Sequence, residues 1–83
     1  MASLAEIGRE RKKQLRDLMI ASRKLDAAQE VLEREIKRLI TRKKSVPEIS
    51  DAQRLTQMAQ AVNTSLGNMA QVISAVSRSW GST

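Results

Sequence analysis

A single proline, Pro47, stands between two stretches in which apolar residues return every seven positions, and that arrangement leaves few folds open. In the first stretch Leu4, Arg11, Leu18, Leu25, Leu32 and Leu39 make one row, broken only at Arg11, with Leu15, Ser22, Gln29 and Ile36 as a companion row. In the second, Ala52, Ala59, Leu66, Ile73 and Trp80 make one row and Leu55, Val62, Met69 and Val76 the other. A sustained seven-residue apolar repeat belongs to helices that pack side by side along a coiled-coil seam. Pro47 disfavours helical geometry at Val46 and cannot extend the hydrogen-bond ladder behind it, so the first helix must end before the proline. The repeat therefore predicts two long helices rather than one.

The helix limits follow from capping chemistry. Ser3-Leu4-Ala5-Glu6 has the spacing of a capping box, in which the serine oxygen accepts from the third helical amide, and starts helix 1 near Leu4. Helix 1 is predicted over about residues 4–44, roughly 60 Å at 1.5 Å per residue. Ser45-Val46-Pro47-Glu48 and Ser50-Asp51-Ala52-Gln53 share the capping spacing, which puts the turn at about 45–50 and helix 2 at about 50–80. Gly81 then suits the left-handed position after the last turn. The expected fold is all-α: one domain over 1–83, an antiparallel hairpin whose seam joins Leu18, Leu25, Leu32 and Leu39 to Leu55, Val62, Leu66, Met69, Ile73 and Val76. Helix 1, the longer, should overhang by residues 4–14. Met19, Ile20, Val31, Ile40, Met58 and Val72 fall off the seams, so the hairpin is expected to self-associate, with a homodimeric four-helix bundle favoured over assembly with another coiled coil.

Composition excludes most chemistry. The 83 residues hold no His, no Cys and one aromatic, Trp80. Zinc fingers, iron–sulfur sites, thiol nucleophiles and imidazole bases are ruled out, and no enzyme activity, cofactor, metal or small-molecule substrate is expected. A core in a chain of this size supplies roughly 3 to 5 kcal/mol unless something staples it, and without cysteines self-association is the expected substitute. Asp26, Glu30 and Glu33 share a helix face, but Glu30 precedes Arg34 by four and Glu33 precedes Lys37 by four, the order of surface ion pairs. The first residues run straight into charges without an apolar stretch, so no signal peptide is expected. Residues 55–77 carry no charge, yet Gln, Asn, Ser and Thr recur through them, so neither a membrane span nor membrane binding is expected and an intracellular, cytoplasmic protein is favoured.

The charge is segregated. Of 15 Lys plus Arg and 9 Asp plus Glu, residues 1–44 hold 13 and 7, and residues 45–83 hold 2 and 2, so the whole net charge of +6 lies on helix 1 and the start of the turn. Arg9, Arg16, Arg23, Lys37 and Lys44 occupy one heptad position, interrupted by Glu30, and Arg11, Lys12, Lys13, Arg34 and Arg38 thicken the charge beside them. A rigid row of cations about 10.5 Å apart can meet successive phosphates of a duplex without reading bases. One tryptophan cannot build the stacking platforms of single-strand binders. The nine cations from Arg9 to Arg38 in these sets are thus candidate contacts for double-stranded nucleic acid, RNA ahead of DNA. The plain alternative is a solvated face, diluted by Glu10, Asp17, Asp26 and Glu35.

A basic first helix, the turn Val46-Pro47-Glu48, and a second helix ending in Asn68-Met69-Ala70-Gln71-Val72-Ile73-Ser74-Ala75-Val76 resemble the small double-stranded-RNA-binding silencing suppressors of nodaviruses. That resemblance implies helical hairpins that dimerise into a four-helix bundle and lay basic helices along A-form RNA. In that family the basic residues are shared between both helices, whereas here they lie almost wholly in the first. The competing class is a coiled-coil assembly or regulatory subunit, a scaffold, secretion chaperone or antirepressor, acting through protein contacts.

Overall fold

The computed structural model describes residues 3–42 and 46–81 and consists of two helices, α1 (Leu4–Thr41) and α2 (Ile49–Gly81), packed antiparallel as a hairpin. The hairpin is a rod of 66 × 16 × 12 Å. Ser3 caps α1: its backbone is extended (φ −71°, ψ 163°) and its hydroxyl accepts from the Glu6 amide at 3.2 Å. At the other end the Thr41 hydroxyl donates to the carbonyls of Lys37 (2.9 Å) and Arg38 (3.3 Å), supplying partners that the last turn lacks. Arg42 is already extended (φ −69°, ψ 112°), so the helix stops three residues short of the expected limit at 44.

The start of α2 matches neither serine register. The Glu48 carbonyl accepts from the amides of Asp51 and Ala52, and the Asp51 carboxylate accepts the Glu48 amide at 2.9 Å. This is the backward half of a capping box, with an acid three residues into the helix reaching for the N–H before it. Ser50 is therefore already helical, and Ser45, of the other register, lies outside the described residues. The amide of Glu48 holds the Asp51 carboxyl below its ordinary value of 3.8, with Arg42, 3.4 Å away, adding to the effect. Gly81 does not take the left-handed conformation. It is the last helical residue, and no described residue has a positive φ. The helix is carried that far by Trp80, whose indole N–H donates to the Gln14 side chain at 2.7 Å. This contact also shortens the expected overhang, because Arg11 and Gln14 both face α2 and only the turns before them project beyond it.

The contact between the helices uses one row of each expected pair and exchanges the other. Leu18, Leu25, Leu32 and Leu39 of α1 and Leu55, Val62, Met69 and Val76 of α2 are buried or half-buried, as the repeat requires. Their companions are Gln14, Ala21, Ala28 and Glu35 on α1 and Met58, Ser65 and Val72 on α2, in place of the rows containing Leu15 and Ile36, and Leu66 and Ile73, whose named members are exposed. The small side chains of Ala21, Ala28 and Ser65 let the backbones approach, and the polar members find partners across the gap. Gln14 meets Trp80, and Glu35 meets Arg54 at 3.4 Å. Met58 and Val72 thus belong to the hairpin contact. Burial is thin all the same: Ala21 (7% exposed) and Leu25 (9%) are the only buried apolar residues among those described.

Candidate nucleic-acid interface

A row at every seventh position of α1 lies opposite the seam, because five residues on from a seam leucine the helix has turned about 140° away from the partner. Arg9, Arg16, Arg23 and Lys37 hold that row and are all exposed, with Glu30 between the last two. Glu30 is largely cancelled as a local anion, since Arg34 pairs with it at 2.9 Å one turn further along. Lys12 and Lys13 join Arg9 and Arg16 on the first four turns of α1, around a shallow surface hollow that Glu6 and Glu10 also line. Among the described residues no carboxylate forms an ion pair with Arg9, Lys12, Lys13, Arg16, Arg23 or Lys37.

Three of the nine predicted cations are occupied within the hairpin. Arg11 breaks the leucine row and is half-buried, its guanidinium 5.2 Å from the centre of the Trp80 ring. A cation stacked on indole and wedged between helices is a structural element of the open end rather than an outward-facing contact. Arg34 is tied to Glu30, though both are well exposed. Arg38 grips Glu35 through two bonds, Nε to Oε2 at 3.1 Å and Nη2 to Oε1 at 2.5 Å, and Arg54 of α2 reaches the same carboxylate. The Arg38 bonds, with help from the charge of Arg54, hold the Glu35 carboxyl below its ordinary 4.5. Sequence spacing could identify Glu30–Arg34 but not this triad, because Arg54 lies nineteen residues from Glu35 and meets it only through the turn.

What remains of the nine is a ridge of six cations without an ion pair among the described residues, while the α2 half of the chain has Arg54 and Arg78 to balance Glu48 and Asp51. Chemically such a ridge can neutralise a row of anions. Among the described residues no group of three His, Cys, Asp or Glu could hold a metal ion, and no helix is long and apolar enough to cross a membrane. The fold and its charge define a class, the basic amphipathic helical hairpin. Comparison with protein-family models, curated proteins and solved structures finds no match that would take the assignment further.

Proposed function

We propose that the chain is a non-catalytic protein that binds double-stranded nucleic acid independently of sequence, RNA ahead of DNA, as a self-associated helical bundle. The observation that carries this reading is the exposed row Arg9, Arg16, Arg23 and Lys37, free of ion pairs among the described residues and turned away from the α1–α2 contact. Side chains repeating about 10.5 Å apart along a straight helix meet phosphates at a fixed spacing, which suits a regular duplex and not a flexible strand. A-form RNA is read mainly through backbone and shape, which requires no aromatic platform and no base-edge donors. The resemblance to nodaviral suppressors makes silencing suppression in the cytoplasm the setting in which such binding would be useful.

The test is fluorescence anisotropy with labelled duplex RNA, duplex DNA and single-stranded RNA at several salt concentrations. Neutralising four phosphates per copy contributes roughly three to four to the log–log salt slope, so a dimer that engages both copies gives about seven, at about 0.9 per phosphate on B-DNA. Replacing Arg16 and Arg23 by Gln keeps helix propensity while removing two charges from the row, so duplex affinity should fall and helicity should not. Unchanged binding in the double variant, or no salt-sensitive binding to any duplex, refutes the reading. One observation favours the competing assembly-subunit reading: Arg11, Arg34 and Arg38 serve intramolecular contacts, as charges on a purely structural helix do. That reading takes over if duplex binding fails.

A further inference from the structure

The two rows that the hairpin leaves largely exposed, apart from half-buried Ser22, Ala59 and the packed Trp80, are the more apolar ones, and they lie together. In an antiparallel pair, the row next to the seam on a given side of α1 and its counterpart on α2 fall on the same side of the hairpin. Leu15 and Ile36, with Met19 and Ile40 one step further round, thus share a face with Leu66 and Ile73, and all six are exposed. Near the turn this face deepens into a trough lined by Ile36, Leu39, Ile40, Pro47 and Leu55. The opposite side is different in character: Arg38 and Arg54 converge there on Glu35, and Ile20 sits in a groove rimmed by Asp17, Lys24 and Asn68.

We propose that the face of Leu15, Met19, Ile36, Ile40, Leu66 and Ile73 is where a second copy of this chain packs, closing a four-helix bundle. Area supports a partner of that size. The hairpin exposes 6787 Å², whereas a compact monomer of 9.3 kDa exposes about 5,000 Å², so roughly 1,800 Å² per chain is in excess. A standard interface takes about 800 Å² from each partner and obligate homodimers take more. Charge supports a second copy over a foreign protein. On α1, Lys12, Asp26 and Glu33, of mixed sign, share the outer row of the face with Met19 and Ile40, and the cationic row of Arg16, Arg23 and Lys37 flanks it, whereas on α2 the corresponding row, Thr56, Asn63, Ala70 and Ser77, is uncharged. Two copies meet there without opposing like charges when the basic α1 of one packs on the uncharged α2 of the other, a complement that the chain itself supplies. The pairing is independent of any nucleic acid, and the basic row stays outside it.

The test uses the full chain without nucleic acid. Sedimentation equilibrium at about 100 μM should give twice the 9.3 kDa chain mass. Because the chain has no cysteine, Ile73→Cys and Ile20→Cys each introduce a unique thiol, at positions that the hairpin alone exposes almost equally, 47% and 52%. Under those conditions iodoacetamide should alkylate the Ile73→Cys thiol about tenfold more slowly than the Ile20→Cys thiol, and the difference should vanish on dilution as the dimer dissociates. Neither change adds a charge, so the comparison does not depend on a variant surviving disruption of the interface. A helical monomer at that concentration overturns the proposal. So does a dimer whose two thiols react alike, or one in which the Ile20→Cys thiol is the protected one.

Discussion

Trp80→Ala should cost about 3 kcal/mol, and the figure can be assembled from the contacts at the open end of the hairpin. The indole N–H bond to Gln14 at 2.7 Å contributes about 1 kcal/mol. The Arg11 guanidinium at 5.2 Å contributes about 0.5 to 1 kcal/mol in a partly exposed site. Roughly 100 Å² of half-buried apolar surface contributes about 2.5 kcal/mol at 25 cal/mol per Å². Ordering the Trp80 and Gln14 side chains costs about 1 kcal/mol, which leaves about 3. Urea unfolding followed by circular dichroism measures the total at one fixed protein concentration, because a self-associating chain gains stability by mass action. The same transition followed by fluorescence watches this contact alone, since Trp80 is the only aromatic residue. A double-mutant cycle with Trp80→Phe and Gln14→Ala should return a coupling of about 1 kcal/mol, the hydrogen bond itself. A wild-type emission spectrum equal to that of indole in water, or a Trp80→Ala cost below about 1 kcal/mol, would show that the α2 terminus does not pack on α1 and refute the reasoning.

Three further expectations follow from the seam and the caps. Leu25→Ala removes one of the two buried apolar side chains among the described residues and should destabilise by about 2 to 5 kcal/mol in urea titrations, and a cost within about 0.5 kcal/mol would place Leu25 outside the contact. Gly67→Ala should stabilise by about 0.5 to 1 kcal/mol, read as a raised Tm, because the added Cβ meets nothing within 4 Å and the residue lies mid-helix. The depressed carboxyls of Glu35 and Asp51 contribute stability that is complete above their ordinary values of 4.5 and 3.8 and is lost as pH falls through the lower folded values. Thermal melts should therefore weaken below about pH 4, and Glu35→Gln should flatten that dependence, whereas an equal loss in the variant would assign it to other groups.

The heptad rows and the lone proline made two side-by-side helices legible from the sequence, because a seven-residue apolar period is buried against a parallel or antiparallel helical partner and proline has no place inside the ladder. Ser3 as a cap and the Glu30–Arg34 pair were legible for the same reason: each is a contact within one helical turn, whose geometry is constant wherever a helix forms. The segregated charge was equally legible, as a count. The choice of companion row was not. Leucines at every seventh position are flanked by a row on either side, and apolar content favours Leu15, Ile36, Leu66 and Ile73. The hairpin uses the other side for most of its length, where small residues allow close approach; Gln14 meets Trp80, the one member of the Leu66 row with a hydrogen bond to α1 among the described residues, and Glu35 reaches Arg54. Those partners are separated by 66 and 19 positions, so only the folded register could introduce them. The same register decided which cations remain available, drawing Arg11 onto Trp80 and Arg38 onto Glu35 and leaving Arg9, Arg16, Arg23 and Lys37 on the outer surface. Local sequence sets what a helix can present, but the side that it buries is settled by the energy of contacts with a partner that sequence spacing does not position.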